Sequence, residues 1–226
     1  MSKVIAIGGG CNGGEFDSVL EEKIRHFIDK EEPNVVFIPY GSTDFEENFK
    51  DFKKIYTLLG CQVNLLQPGN ERLLLEADLV YLGRGWTIPL VEKLIETKAL
   101  PILVKASENG AVIAGFSAGA QALCTLAGSF EEEAGYTLVE GIGMIKGTIM
   151  SHYNYSERAE AYHKLLRGKN LAGIGLDDHT MLVVEDNVAT LHSSKSDSHG
   201  YLIKSLDTQP PKRMMSGQKI KLPLLS

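Results

Sequence analysis

The run Ala111-Val112-Ile113-Ala114, followed by Gly115-Phe116-Ser117-Ala118-Gly119-Ala120, constrains this chain more than any other stretch. The apolar residues read as a buried strand, and Ala120-Gln121-Ala122-Leu123-Cys124-Thr125-Leu126 is a good helix former. A serine with glycine at both second neighbours, on a strand-to-helix turn, is a nucleophile elbow. So tight a turn has no room for a side chain at either flank, and it lifts the hydroxyl clear of the sheet. The serine then sits at a helix N-terminus, where free amides and the helix dipole favour a developing negative charge. Gly-x-Ser-x-Gly also occurs in loops by chance; the strand before it and the helix after it give it meaning.

The residues upstream supply the sheet that such an elbow needs. Residues 3–7, 34–39, 61–66 and 78–82 are apolar runs of strand length, with little alternation, as in parallel strands covered on both faces. Between them, Phe16, Val19, Leu20, Ile24, Phe27 and Ile28 recur at helical spacing. So do Phe45, Phe49, Phe52, Tyr56 and Leu59, in a helix ending at Gly60. This aromatic stripe reads as core. A further helix is expected over 88–97, after the turn Gly83-Arg84-Gly85-Trp86-Thr87. The βα alternation predicts a parallel sheet sandwiched between helices. Active sites in such sheets form beyond the carboxyl ends of the strands, where residues 83–87 and Ser117 both fall. The Gly-rich turn at 8–14 lacks the spacing of a nucleotide-binding loop and reads as a loop lying close to other backbone.

After the elbow the pattern changes. Glu131-Glu132-Glu133 reads as a solvated turn, and residues 141–149 as a Gly-interrupted strand ending at Ser151-His152-Tyr153-Asn154-Tyr155. A helix follows over 156–166, with Ala159, Tyr162 and Leu166 inward and Asn154 or Ser156 available as its cap. Residues 188–193 and 201–203 are expected to form a meander. Residues 1–226 read as a single domain, with 205–226 a loosely held tail.

Composition sets outer limits. The chain has 226 residues and a net charge of −6, so it has no electrostatic reason to seek nucleic acid or an anionic membrane. No apolar run is long enough to span a bilayer, and the N-terminal strand-like run is too short for a signal peptide. Cys11, Cys61 and Cys124 are too widely spaced for a disulfide framework or a zinc site. The plain expectation is a cytoplasmic protein, monomeric or homodimeric, without metal or organic cofactor.

A serine hydroxyl needs a base, most often a histidine oriented by a carboxylate. His26 and His163 lie on helices and read as surface or packing residues. His179, His192 and His199 lie near the late strands. His152 differs in standing at the end of a strand-like run just before a helix.

The chain resembles the peptidase E (aspartyl dipeptidase) and cyanophycinase family of serine peptidases, nearly end to end. The resemblance rests on the early Gly-rich turn, the turn at 83–87 and Gly115-Phe116-Ser117-Ala118-Gly119-Ala120. It continues through His152-Tyr153-Asn154-Tyr155-Ser156-Glu157-Arg158 and the Gly-Leu-Asp-Asp segment at 175–178. It implies a three-layer αβα sandwich with a mainly parallel sheet, flavodoxin-like and related to class I glutamine amidotransferases. It also implies a triad in the order Ser117, His152, Asp178, with Asp177 as the fallback acid. Asp178 stands where the family has Glu, one carbon longer. An acidic residue shortly after the nucleophile would fall among Glu131, Glu132 and Glu133. The oxyanion donors implied are the amides of Ala118 and of Arg84 or Gly85.

Where peptidase E commonly has Gly-Gly-Gly-Asn, this chain has Gly83-Arg84-Gly85-Trp86, which alters the rim of the substrate pocket. Arg84 and Arg158 are candidates for binding a substrate carboxylate, or else lie on the surface. Aspartyl specificity therefore does not follow. Three functions remain: a serine exopeptidase acting on dipeptides or short peptides, a small α/β-hydrolase-type esterase with His192 or His199 as base, and a binding protein that keeps the elbow for structural reasons.

Overall fold

Alternate residues of a strand face opposite sides of its sheet, and when both sides are apolar the strand is covered twice. In β1 (Val4–Ile7), Ile5 and Ile7 pack on one side and Val4 and Ala6 on the other, all buried. The structure is a computed structural model and describes residues 3–10, 15–131, 135–167, 169, 171–204 and 209–222. After β1 come α1 (Ser18–His26), β2 (Asn34–Ile38), α2 (Phe45–Leu58), β3 (Gln62–Leu65), a 3₁₀ turn (Glu71–Glu76) and β4 (Leu79–Leu82). Then follow α3 (Thr87–Glu96), α4 (Ala99–Glu108), β5 (Val112–Phe116) and α5 (Ala118–Ala122). The remainder is β6 (Leu126–Glu131), β7 (Gly135–Glu140), β8 (Thr148–Ser151), α6 (Ser156–Leu166), β9 (Gly173–Leu176) and β10 (Thr180–Glu185). The chain closes with β11 (Val188–Ser193), β12 (Gly200–Ile203), β13 (Lys212–Met214) and β14 (Lys219–Lys221).

The main sheet runs β14-β11-β10-β1-β5-β4-β2-β3, parallel from β1 to β3 and antiparallel from β1 to β14. One face packs Ile7, Phe37 and Tyr81 against Leu20 and Ile24 of α1 and Phe52 and Tyr56 of α2. The other packs Val80, Leu82 and Ile113 against Leu90 and Leu94 of α3, Leu103 of α4 and Ala120 of α5. Each fully buried Leu, Ile or Phe contributes about 1.5–3 kcal/mol. The result is the expected αβα sandwich. A second sheet, β13-β12-β9-β8, joins the latter core through Ile149, Ile174 and Leu176, and α6 covers it with Tyr162 and Leu166.

Several expectations need correction. The helix after the elbow stops at Ala122, because Ile142 and Gly143 donate to the carbonyls of Ala122 and Cys124, and the chain turns into the β6–β7 hairpin. The sequence reading had no hairpin there. Glu132 and Glu133, read as a solvated turn, lie outside the described residues, as does Cys11. Residues 98–110 hold an unforeseen helix, α4, set off from α3 by Lys98 at φ 57°. β11 and β12 do not form a meander, since β11 joins the main sheet and β12 the small one. The segment expected to be a loose tail contributes β13 and β14, one to each sheet, with Met214 and Leu222 buried. In α1, Val19 is 57% exposed, and Glu21 is buried instead.

Candidate active site

The elbow stands at the carboxyl end of β5. Ser117 has φ 54° and ψ −107°, a strained backbone for a residue with a side chain, held by its amide donating to the Ile7 carbonyl at 3.0 Å. The flanking glycines are required by space. A Cβ on Gly115 would lie 2.4 Å from the Gly119 backbone, and one on Gly119 would lie 2.3 Å from the Leu82 carbonyl oxygen.

The small sheet supplies the partners. β8 and β9 are parallel neighbours whose last residues, Ser151 and Leu176, are paired, so His152 and the 177–178 pair emerge side by side. The His152 amide donates to the Gly8 carbonyl at 2.9 Å, which ties this edge to the end of β1. Ser117 Oγ then lies 2.8 Å from His152 Nε2, and His152 Nδ1 lies 2.6 Å from Asp178 Oδ1. With Nδ1 donating to the carboxylate, Nε2 is left as an acceptor for the serine hydroxyl. Asn154 fixes the acid from the other side. Its Oδ1 accepts the Asp178 amide at 2.9 Å, and its Nδ2 donates to Asp178 Oδ2 at 3.2 Å. Burial pushes the Asp178 carboxyl up, but the hydrogen bonds and charge of His152, with those of Asn154 and Tyr155, outweigh it and hold it below its ordinary value. Asp177 turns away: its Oδ2 accepts the His199 amide at 3.0 Å, and burial raises its carboxyl.

Two cavities flank Ser117 and His152. One, of about 480 Å³, is bordered on the elbow side by Gly85, Trp86, Thr87, Ala118 and Gln121. Phe130 and Tyr136, from the β6–β7 hairpin, close its far wall, and Glu157 and Arg158 of α6 stand at its edge. The other, of about 310 Å³, lies between His152, Tyr155 and Tyr136 and shares Glu157 and Arg158. Trp86 and Arg158 thus both border the cavity beside Ser117. Arg84 is not among the residues bordering either cavity; its carbonyl lies against Gly41, where Gly85, at φ 130°, leaves only 1.9 Å between a Cβ and the Gly41 oxygen. The amides of Ala118 and Gly85 have no backbone acceptor among the described residues.

The other histidines are occupied elsewhere. His192 packs its ring against Phe27, and His163 Nε2 lies 2.6 Å from the Tyr153 hydroxyl. His179 Nδ1 donates to Asp17 at 2.6 Å, and Lys195 Nζ donates to its Nε2 at 2.8 Å. The Ser117 hydroxyl is bonded to His152, while His192 packs on Phe27 and the His199 ring on Tyr201, so neither base that the esterase alternative requires is the partner of Ser117. Sequence reasoning missed Gly9, Phe130, Tyr136 and the role of Asn154. Asn154 does not cap α6, whose start has no side-chain cap. Gly9 packs on the His152–Asp178 contact itself, and a Cβ there would lie 1.8 Å from Asp178 Oδ1. Its signal was the Gly8-Gly9-Gly10 run, read as a loop lying close to other backbone; that holds for Gly8 and Gly10, whereas Gly9 lies against the Asp178 and His152 side chains. Among the described residues no group of three His, Cys, Asp or Glu side chains is placed to hold a metal ion, and no helix is long and apolar enough to cross a membrane.

An αβα sheet carrying a strained serine at the end of a central strand, within reach of a histidine, places the molecule among serine-type hydrolases. Comparison with known proteins narrows the class. The chain matches the model of peptidase family S51 over residues 4–192 and belongs to that family, which makes it a serine-type peptidase. It is 31% identical over 214 residues to a Bacillus subtilis (strain 168) protein named uncharacterized peptidase YgaJ, covering 90% of this chain and 92% of that one. It is 23% identical over 219 residues to peptidase E of Nostoc sp. (strain PCC 7120), covering 87% and 88%. In fold it is similar to a peptidase from an acI-B1 Actinobacterium, with TM-score 0.75 and 20% identity over 98% of this chain and 97% of that one. A Listeria monocytogenes EGD-e protein described as a peptidase E superposes with TM-score 0.70 at 18% identity, over 86% and 100%.

Proposed function

We propose that this peptidase is a cytoplasmic exopeptidase that cleaves dipeptides and short N-terminally free peptides through Ser117, His152 and Asp178. The observation that carries the reading is the unbroken hydrogen-bonded line from Ser117 Oγ through the His152 ring to Asp178. Cavities of about 480 and 310 Å³ beside it suit a residue or two on each side of the scissile bond.

His152 Nε2 takes the Ser117 proton as Oγ attacks the peptide carbonyl carbon. The tetrahedral oxyanion is held by the amides of Ala118 and Gly85, each such donor being worth about 10²–10³ in rate. As the C–N bond breaks, His152 returns the proton to the leaving amine, and water then cleaves the acyl-enzyme by the same route. Asp178, kept ionised by its partners, holds the imidazole in the tautomer this requires and stabilises its charged form. Arg158 faces the bound peptide from α6.

Labelling with a fluorophosphonate, together with hydrolysis of a dipeptide library, tests the assignment. Wild type is expected to be labelled and to cleave, whereas Ser117→Ala and His152→Ala do neither. Activity surviving His152→Ala would refute the triad.

A further inference from the structure

The direction of the chemistry assigns the two cavities. A leaving amine has to lie within reach of His152 Nε2, so the residue after the scissile bond belongs on the side of His152 and Tyr155. The first residue, which forms the acyl-enzyme, is then directed to the elbow side, against Trp86 and Phe130.

That wall is aromatic and exposed. The Trp86 indole lies 6.0 Å from the Phe130 ring, and Phe130 lies 5.2 Å from Tyr136. Trp86 is 49% exposed and Phe130 40%, so large apolar faces next to a nucleophile are left in water. The floor does not ask for a polar side chain. Gln121 spends its amide on Thr87 Oγ1 and the Gly128 carbonyl, and its oxygen accepts from the Ser151 hydroxyl at 3.1 Å. Charge gives no preference for an acidic side chain either. Arg158 stacks on the Tyr136 ring at 5.3 Å, and Glu157 borders the same cavity, so an acidic residue offsets the basic one there. Such a pair matches the ammonium and carboxylate that every free dipeptide carries, and leaves the choice among first residues to the rings.

We propose that Trp86 and Phe130 form an acyl-side subsite that selects a large apolar or aromatic first residue. This rests on the reading of Ser117 and His152 given above. The face of a substrate ring or isobutyl group covers the indole and phenyl faces, replacing two water-exposed surfaces at once.

Two readouts test it. In steady-state hydrolysis, Phe-Gly and Leu-Gly are expected to have kcat/KM at least about tenfold above Asp-Gly and Ala-Gly. Phe130→Ala and Trp86→Ala are each expected to lower the Phe-Gly to Ala-Gly ratio by about tenfold; truncation of these half-exposed side chains leaves the core intact. Trp86 is the only tryptophan in the chain, so its emission reports occupancy directly. In Ser117→Ala, Phe-Gly is expected to shift that emission at concentrations where Asp-Gly and Gly-Gly do not. A preference for Asp-Gly, an unchanged ratio in both variants, or emission that Phe-Gly does not move would overturn the subsite. If no dipeptide is hydrolysed by wild type, the catalytic reading has failed, and the fluorescence titration alone decides the subsite.

Discussion

Replacing Gly9 by alanine tests whether the His152–Asp178 contact does what its geometry suggests. The added Cβ would sit 1.8 Å from Asp178 Oδ1 and 2.6 Å from His152 Nδ1, on the two atoms that are themselves 2.6 Å apart. Carbon and oxygen do not approach closer than about 3 Å without strain, so the carboxylate has to withdraw by more than about 1 Å. A 2.6 Å hydrogen bond stretched by that much, and turned off line, is no longer one. Gly9 has no positive φ, so the substitution acts through space alone. Loss of the orienting acid in a serine triad costs about 10⁴ in kcat, and Gly9→Ala is expected to cost about 10³–10⁴ with KM little changed. The assay is kcat and KM on the best dipeptide, with the fluorophosphonate labelling rate as a substrate-independent check and a thermal melt to show that the fold persists. Because Gly9→Ala and Asp178→Asn break one contact, their double variant is expected to be scarcely slower than either alone. Gly9→Ala retaining kcat within about tenfold of wild type, or adding in full to Asp178→Asn, would refute the reasoning.

Two further outcomes follow from buried carboxylates. Glu21, wholly buried, accepts from the hydroxyls of Tyr56 at 2.7 Å and Tyr81 at 2.8 Å, yet burial outweighs these and pushes its carboxyl from 4.5 up to about 7. The folded protein therefore holds this proton more tightly than the unfolded chain. Its contribution is full below pH 4.5 and lost as pH rises to about 7, by about 3 kcal/mol at about 1.4 kcal/mol per pH unit. In urea melts at pH 5 and pH 8, Glu21→Gln should lose markedly less stability between the two than wild type; parallel pH profiles would exclude the buried proton. Asn154→Ala removes both hydrogen bonds that Asn154 makes to Asp178 and lets burial raise that carboxyl. The variant is expected to lose about 10–100-fold in kcat with KM little changed; kcat within about twofold of wild type would count against Asn154 as a positioning residue.

How much of this could be read beforehand depends on whether the information was local. The elbow was legible because the requirement for glycine at 115 and 119 comes from backbone within one turn and from the strand beside it. The parallel sheet was legible from apolar runs at 3–7, 34–39 and 78–82, where period and length speak together. His152 could be singled out by its place at a strand end, but Asp178 could be separated from Asp177 only by seeing which carboxylate turns toward β8. The β6–β7 hairpin was hidden because Ala120 to Leu126 favours a helix, and amide donors about twenty residues away, Ile142 and Gly143, end it. With it were hidden Phe130 and Tyr136, which close the far wall of the elbow-side cavity. Glu21 lies three residues before Ile24 and seven before Ile28, so helical spacing allows it on their side of α1, but its charge argues for water; the two tyrosine hydroxyls, from α2 and β4, give the reason for its burial.

The division of the site between two sheets explains why the first loop of the chain is so rich in glycine. Ser117 belongs to the main sheet, while His152 and Asp178 hang from the small one, so their register depends on whatever fixes one sheet against the other. Packing of Ile149, Ile174 and Leu176 does part of this, and the Gly8 bond to His152 crosses between the sheets, whereas the bonds to Thr180 and His179 continue the β1–β10 pairing. Gly8 accepts the His152 amide and donates to the Thr180 carbonyl, and Gly9 accepts the His179 amide at 3.0 Å. His179, itself at φ 64°, is anchored in turn by Asp17, which also caps α1 by accepting from the Val19 and Leu20 amides. A Cβ on Gly8 would meet the Asp177 carbonyl at 2.3 Å, so neither residue of the hinge can carry a side chain while the sheets stay this close. The proposed base is therefore tied to the end of β1 through the Gly8 carbonyl, and the glycines at 8 and 9 leave room for that contact.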